Sequence, residues 1–247
     1  MQTPKKGKLF LLPTPLADDT AAAVLPAQAM ELFKSLRHYL CEEARTSRRF
    51  LSSLRLGLTI EELSIEELNK DTPDHQVPHL LQPLLDGHDM GILSEAGCPG
   101  VADPGARAVA QAHEKGIQVV PVVGPSSILL ALMASGLDGQ NFAFRGYLPV
   151  RNPERSHAIK SLEKGVRSGQ TQLFMETPYR NNPLLKDLMA HCQPETMLCV
   201  AANLTGADEF IQTRSIKQWK QQLPDLHKQP AIFILGNTPS YKKSGNS

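Results

Sequence analysis

The chain has 247 residues, of which 41% are hydrophobic and 21% are charged, a composition typical of globular proteins that excludes disordered, collagen-like and coiled-coil chains. Because 26 lysines and arginines nearly balance 25 aspartates and glutamates, any contact with nucleic acid must use a local basic patch rather than a global positive field. No run approaches the roughly 20 apolar residues of a membrane span and no signal-peptide core follows Met1, so we expect a cytoplasmic protein that does not enter a membrane.

Short β-rich runs alternate with helical segments through the first half of the chain. In chain order the pattern predicts a strand at 9–12, a helix at 20–34, a strand at 38–41, a helix at 45–54, a proline-interrupted helix at 76–85, a strand at 90–93, a helix at 105–115 and a strand at 117–123. This alternation is typical of an α/β layered fold.

The second half continues the alternation but contains two consecutive strands. We predict helices at 126–135, 153–166, 183–191 and 216–222, and strands at 142–144, 172–175, 197–201, 209–213 and 231–235. The strands at 197–201 and 209–213 have no helix between them, which indicates a mixed sheet with antiparallel members. The expected organisation is an N-terminal α/β domain at 1–121, a C-terminal α/β domain with a mixed sheet at 122–240, and a frayed tail at 241–247.

Two glycine-containing loops are the strongest indications of a ligand site. The loop from Ser94 to Gly105 follows a predicted strand and precedes a helix, so it lies at the carboxyl edge of the sheet, where open α/β folds bind ligands. Gly124-Pro125-Ser126-Ser127 is in the equivalent position after the next strand. A rigid structural turn or a serine helix cap would account for either loop alone, but two such loops in one half of the chain favour a shared ligand cavity.

The four cysteines do not show the spacing of a metal site. Cys41, Cys98, Cys192 and Cys199 lack a CxxC motif and lie mostly in apolar surroundings, as small buried thiols do. We therefore expect neither a metal nor a disulfide framework.

Seven short motifs occur in order along the chain. They are Leu12-Pro13-Thr14-Pro15, Glu42-Glu43-Ala44-Arg45, the loop from Glu95 to Gly105, Gly124-Pro125-Ser126, Ala134-Ser135-Gly136-Leu137, Phe144-Arg145-Gly146-Tyr147-Leu148-Pro149, and Glu176-Thr177-Pro178-Tyr179-Arg180. This series resembles the tetrapyrrole methylase superfamily of S-adenosylmethionine-dependent methyltransferases, and within it the branch that methylates ribosomal RNA of the small subunit.

The resemblance implies a bilobal fold with the methyl donor between the lobes, S-adenosylhomocysteine as product, and a homodimer. Carried over by position, the N-terminal contacts to the donor would come from Pro13, Ser94, Glu95, Ala96, Gly97, Cys98, Val101, Ala102, Asp103, Ser126 and Ser127. Those from the C-terminal lobe would come from Met175, Ala201, Ala202, Pro230 and Ala231. Ala201 and Ala231 suit core packing equally well.

The acceptor side is less defined. A ribose 2'-hydroxyl, the acceptor that the resemblance implies, benefits from a general base, and the carboxylates within resembling motifs are Glu42, Glu43 and Glu176. Each also suits a structural role as a helix cap or an ion-pair partner. For RNA phosphates the expected contacts are Arg45, Arg48 and Arg49, which share one helix face; a solvated surface explains that run as well.

Three departures from the family affect mainly the acceptor half. The usual Arg-Glu-Leu-Thr-Lys-like run is Ala202-Asn203-Leu204-Thr205-Gly206 here, and a His- and Glu-rich segment is replaced by Leu58 to His75. In the donor loop, Asp-Ala-Gly-Thr-Pro-Gly becomes Glu95-Ala96-Gly97-Cys98-Pro99-Gly100, a conservative change. The first hypothesis is therefore a methyltransferase acting on ribosomal RNA of the small subunit. The alternatives are a methyltransferase of the same fold acting on a small molecule or a protein, and a non-catalytic donor-binding or interaction protein.

Overall fold

The chain folds into two compact units, Met1–Ser126 and Ser127–Ser247. The computed structural model describes residues 5–239, so the predicted frayed tail at 241–247 lies outside the described residues. Within that range, each unit contains its own five-stranded sheet. No helix of residues 5–239 is long and apolar enough to cross a membrane.

The first unit contains a parallel sheet with the strand order β3-β2-β4-β1-β5. Its strands are β1 (Leu9–Leu12), β2 (His38–Cys41), β3 (Ser64–Glu67), β4 (Met90–Leu93) and β5 (Val119–Pro121). Its helices are α1 (Ala21–Val24), α2 (Ala27–Ser35), α3 (Ala44–Ser53), α4 (Val77–Leu80), α5 (Gln82–Leu85) and α6 (Gly105–Glu114), with short 3-10 turns at Ile60–Glu62 and Asp74–Gln76.

Helices cover both faces of this sheet because successive strand side chains point to opposite sides. On one face Tyr39 of β2 packs with Phe33 of α2 and Leu51 of α3. On the other, Leu40 of the same strand belongs to a core that includes Ala108 of α6. The predicted parallel sheet with helices on both faces is confirmed.

The local predictions for this unit fail at prolines and at the sheet edge. Pro26, which cannot donate a backbone hydrogen bond, divides the predicted 20–34 helix, so that α1 ends at Val24 and α2 begins at Ala27. The predicted 76–85 helix divides into α4 and α5, each with a proline in its first turn. Strand β3 was not predicted, because only Ile65 of its four residues is buried and the segment lacks a clear alternating pattern.

The second unit contains a mixed sheet with the strand order β6-β7-β10-β8-β9. Strands β6 (Phe142–Tyr147) and β7 (Thr171–Met175) are parallel, whereas β8 (Met197–Ala202), β9 (Phe210–Ser215) and β10 (Ala231–Gly236) form the antiparallel pairings. The helices are α7 (Ser127–Ser135), α8 (Glu154–Arg167), α9 (Asn181–His191) and α10 (Ile216–Trp219), with a 3-10 turn at Pro178–Arg180. The predicted mixed sheet is confirmed.

One face of this sheet carries the main apolar core of the second unit. Side chains of α8, α9 and α10 pack on it around the stacked rings of Phe174 and Phe233, whose centroids are 5.8 Å apart. Trp219 is 1% exposed and its indole Nε1 donates a 2.9 Å hydrogen bond to the carbonyl of Leu198, which satisfies the one polar group of that ring. Helix α7 contacts β8, β9 and β10.

Candidate active site

The loops that follow β1 and β4 are joined at the carboxyl edge of the first sheet. Because these parallel strands are neighbours, their carboxyl ends meet. Thr14 N–H donates to the carbonyl of Gly97 at 2.9 Å, and Gly97 N–H donates back at 3.1 Å. The buried hydroxyl of Thr14 donates to the carbonyl of Ser94 at 3.2 Å, so the two loops form one rigid piece.

The loop after β5 packs directly against this piece. The Cys98 thiol donates to the carbonyl of Pro125 at 3.3 Å, and a Cβ built on Gly124 would overlap the ring of Pro13. Burial raises the pKa of Cys98, so the thiol stays protonated and able to donate. The two glycine loops identified in the sequence therefore contact each other.

Glycines and one carboxylate fix the shape of the Ser94–Gly105 loop. Gly97 and Gly100 both have a φ of +81°, in the left-handed region that glycine adopts without steric cost. Asp103 Oδ1 accepts hydrogen bonds from the N–H groups of Gly100 at 2.8 Å and Gly105 at 2.6 Å. This arrangement leaves Val101 52% exposed at the tip of the loop.

Two clefts border this loop in the first unit. The larger, of about 880 Å³, lies between the loops after β1 and β4 and helix α3, and its size is within the usual range for ligand pockets. The smaller, of about 650 Å³, lies between the same loop and residues 70–74. The larger cleft is lined by Thr14, Ser94, Glu95 and Ala96 on the loop side, by Thr46, Arg49, Phe50 and Ser53 on α3, and by Met30, Leu54 and Arg55, among others.

Three carboxyl groups at this edge have pKa values raised above their ordinary ones. Burial raises the pKa of Glu42, and the charges of Asp103 and Glu95 raise it further. Burial and then the charge of Glu43 raise the pKa of Glu95, while Arg49 lowers it. Burial also raises the pKa of Asp103, although its two backbone donors act in the opposite direction. A cluster of carboxyl groups with raised pKa values is typical of functional sites.

The predicted residues of α3 have separate roles. Glu43 accepts a 2.6 Å hydrogen bond from the hydroxyl of Thr46, and Glu67 Oε1 accepts the N–H of Ala44 at 2.9 Å at the start of the helix. The three predicted RNA-contacting arginines, Arg45, Arg48 and Arg49, are all exposed on the helix, and Arg49 also lines the larger cleft.

Glu176, the third predicted catalytic carboxylate, lies in an ion-pair network of the second unit. Its Oε1 accepts from Arg180 Nη2 at 2.7 Å, and its Oε2 lies 3.5 Å from Arg155 Nη2. Burial alone would raise the pKa of Glu176, but hydrogen bonds from Arg180 and Thr177 and the two arginine charges lower it below its usual value. These contacts fit the ion-pair alternative stated for this residue.

The predicted donor contacts of the second unit lie at the ends of its central strands. Met175 is half-buried at the end of β7 and Pro230 is exposed just before β10. Ala202 and Ala231 pair across β8 and β10 and belong to the apolar core. Ala201 is fully buried. A donor contact for any of them stays a prediction.

Sequence reasoning missed two residues that organise these sites. Thr14 was noted only as part of a motif, yet it joins two loops; its position directly after a strand was the available signal. Arg155 is 4% exposed and donates to the carbonyls of Pro149 and Val150. Its position in the first turn of a charged helix gave no indication of burial.

Comparison with known proteins identifies the class of protein to which this fold belongs. The methyltransferase CobJ, a solved structure, superposes with a TM-score of 0.63 over 96% of each chain at 15% identity, and so shares the fold. The model of the Tetrapyrrole (Corrin/Porphyrin) Methylases matches residues 20–219. The protein is a methyltransferase.

It belongs to the tetrapyrrole methylase family. Among curated relatives, "Ribosomal RNA small subunit methyltransferase I" of Mesorhizobium japonicum is 32% identical over 87% of this chain and 69% of its own. The proteins of the same name from Synechocystis sp. and Escherichia coli O157:H7 are 32% and 31% identical, covering 96% and 93% of this chain and 82% and 78% of theirs. The resemblance stated from the motifs is confirmed.

Membership of this family implies S-adenosylmethionine as methyl donor, and the first unit has features that suit it. A Cβ on Gly97 would lie 3.2 Å from Leu16 Cδ2 and 3.4 Å from the carbonyl of Pro125, so a side chain at this position would crowd the neighbouring loops. The larger cleft combines backbone and hydroxyl groups with an apolar wall that includes Met30 and Phe50. An adenosyl and amino-acid ligand needs both kinds of surface.

Proposed function

We propose that this protein transfers a methyl group from S-adenosylmethionine to ribosomal RNA of the small subunit, with a ribose 2'-hydroxyl as acceptor. Relatives of that name align along most of both chains. The observation that carries the proposal is the site of the first unit, where the joined glycine loops lie across one cleft from a helix whose Arg49 faces that cleft. A loop for the donor and a cation for a phosphate are the two parts that an RNA methyltransferase needs.

The donor would be held along the Ser94–Asp103 loop. Glu95, Val101 and Ala102 are exposed there, and their backbone groups can approach a ligand closely. Pro13 and the Ser126-Ser127 segment belong to the same proposal, as do the residues predicted in the second unit: Met175, Ala201, Ala202, Pro230 and Ala231. When bound, the donor supplies an electrophilic methyl group on a sulfonium.

Glu42 is the carboxylate that we assign as general base for the hydroxyl. It is half-buried directly after β2, beside the donor loop, and its pKa is raised by burial and by Asp103 and Glu95. A base whose pKa lies nearer the working pH accepts the hydroxyl proton more effectively. Glu43 is exposed and bonded to Thr46, which favours a supporting role.

Positioning of the acceptor is the role that we assign to the α3 arginines. Arg45, Arg48 and Arg49 project from one exposed side of the helix that forms a wall of the larger cleft. Guanidinium groups bind phosphate in a planar, two-pronged geometry. Holding the nucleotide so that its hydroxyl is in line with the methyl group, about 3 to 3.5 Å away, provides much of the rate in such a displacement.

Methyl transfer from labelled S-adenosylmethionine tests the proposal directly. The purified protein is incubated with small ribosomal subunits, with their naked RNA, with total protein and with small metabolites. Nucleoside mass spectrometry then locates the label. Label on a ribose supports the proposal, label on a base corrects the acceptor atom, and label found only in metabolites or protein refutes the RNA assignment. A Gly97→Val variant with a disrupted donor loop is the control for contaminating activity.

We also propose that the protein acts in the cytoplasm, where ribosomes assemble, and as a homodimer. Met133 of α7 is 78% exposed, and dimerisation through α7 would remove this apolar side chain from water. Sedimentation of the protein with a Met133→Glu variant tests this: a dimer that dissociates on substitution supports it, and a monomeric wild type overturns it.

A further inference from the structure

Two tyrosines of the second unit extend their rings into solvent. Tyr147 at the end of β6 is 59% exposed, and Tyr179 in the 3-10 turn after β7 is 68% exposed. Tyr39, by contrast, is fully buried. An exposed tyrosine ring presents an apolar face on which a planar ligand can stack.

Basic groups lie beside both rings. The carboxylate of Glu176 raises the pKa of Arg180, and the nearby phenol of Tyr147 adds to this effect. The ring of Tyr179 lies edge-on to the imidazole of His227, with centroids 6.0 Å apart. Lys228 N–H donates to the carbonyl of Pro178 at 3.1 Å, which ties the 227–228 segment to the same turn. We call the group of Tyr147, Tyr179, Arg180, His227 and Lys228 the tyrosine surface.

The Glu176 network holds this surface in place. Glu176 is 1% exposed in its side chain and binds Arg180 at 2.7 Å, while Arg155 lies on its other oxygen at 3.5 Å. Arg155 in turn donates to Asp187 at 3.0 Å and to the carbonyls that follow β6. Arg180 is nevertheless 40% exposed, so one guanidinium is fixed internally and still available to a ligand.

We propose that the tyrosine surface binds a single-stranded segment of RNA by stacking bases on Tyr147 and Tyr179. Fixed aromatic rings among cations recognise unpaired bases and their phosphates, whereas a duplex keeps its bases stacked internally and offers no free face. The surface also adjoins the predicted donor contact, since Tyr147 pairs with Met175 across β6 and β7. The inference rests on the proposed function, because it names the part of the RNA that this unit receives.

The arrangement favours RNA over a protein partner. A protein interface is typically depleted of charge at its centre, but here Arg180 pairs with Glu176 at 2.7 Å and interacts with the phenol of Tyr147, and Lys228 follows His227 in the chain. Aromatic rings and cations in one group offer partners for both the bases and the phosphates of a strand.

Fluorescence anisotropy with a labelled single-stranded RNA of about 15 nucleotides, and with the duplex of the same sequence, tests the inference. Tyr147→Ala and Tyr179→Ala are each expected to weaken single-strand binding by roughly 5-fold or more, as expected for the loss of one stacked base, and to leave duplex binding unchanged. The Phe variants at both positions keep the ring and are expected to retain affinity. Phe142→Ala is the matched control, since Phe142 is 40% exposed at the opposite end of β6.

The outcomes separate this inference from the proposed function. Thermal melting and donor titration of each variant verify that the fold and the first unit are intact. Suppose that the wild type binds and methylates RNA and that the Ala variants bind the single strand equally well. The proposal that the tyrosine surface binds RNA is then overturned, and the proposed function stands. If the Phe variants lose as much affinity as the Ala variants, stacking is refuted. A wild type that methylates small subunits but does not bind the single strand overturns the tyrosine surface alone, and one that transfers no methyl group to RNA overturns the proposed function.

Discussion

Replacing Gly97 by valine is the sharpest test of the donor loop. The φ of Gly97 is +81°, and a β-branched residue held in that region costs about 1 to 3 kcal/mol. Its Cβ would already lie 3.2 Å from Leu16 Cδ2 and 3.4 Å from the carbonyl of Pro125, and the two γ-methyl groups of valine need further space. Two backbone hydrogen bonds join Gly97 to Thr14. The crowding must therefore displace both loops.

We expect the variant to remain folded and to lose donor binding. A globular protein of this size has about 5 to 15 kcal/mol of stability, which exceeds the estimated strain. A shift of the loops should weaken S-adenosylmethionine binding by about 10-fold or more in calorimetric titration, equivalent to at least 1.4 kcal/mol.

Gly57→Val separates conformational strain from crowding at the site. Gly57 has a φ of +72° with nothing within 4 Å of a Cβ, so its variant has a similar backbone cost without a clash. It should melt at a lower temperature, yet bind the donor as the wild type does. If Gly97→Val bound the donor with full affinity, or if both variants lost binding equally, the reasoning about the loop would be refuted.

Three further predictions concern the charged groups. Glu42→Gln should lower kcat by about 100-fold or more and remove the acidic limb of the pH–rate profile, because a base with a raised pKa loses activity as the pH falls through that value. Arg155→Met should lower stability by about 3 kcal/mol in thermal melting, since it removes a partner of buried Glu176. Because the pKa of Glu176 is lowered in the fold, the contribution of its charge is fully present above the ordinary pKa of a glutamate and is lost as the pH falls through the lowered pKa, so the defect should shrink in acid. Arg48→Ala with Arg49→Ala should reduce the salt dependence of single-stranded RNA binding by about 1.4 in log–log slope.

Each of these predictions has its own control. Glu61→Gln, on an exposed turn, should leave the pH–rate profile unchanged; a matching loss there would point to a general charge effect. Lys186→Met, at an exposed position of α9, should melt like the wild type, and equal destabilisation of both variants would contradict the buried network. Arg167→Ala, at the end of α8, should not alter the RNA salt slope unless binding depends only on net charge.

The layered fold could be predicted because its core strands are strongly patterned. Residues 90–93 and 231–235 are apolar runs that end in turn signals, and both form buried strands. Strand β3 could not be predicted, because Ile65 is its one buried residue and the edge pairing with β2 depends on tertiary structure. Pro26 was visible, but its effect on the 20–34 segment was underestimated.

For the site, position along the chain was more informative than residue type. Glycine loops directly after strands were expected to lie close together, and the Thr14 and Cys98 contacts join those loops; that they form the functional site stays a prediction. The environment of each carboxylate could not be predicted. Glu42 and Glu176 both occur in family-like motifs, but burial raises the pKa of the first while arginines lower that of the second, and both effects arise from residues distant in sequence.

The position of Trp219 allows unfolding of the second unit to be followed by intrinsic fluorescence. It is the one tryptophan of the chain, and it is enclosed in the core of the second unit beneath the guanidinium of Arg214, 5.2 Å from the ring centroid. Its fluorescence therefore reports on the second unit, whereas far-ultraviolet circular dichroism reports on both. Coincident denaturation curves would show one cooperative transition, and separated curves would give the stability of each unit in the intact chain.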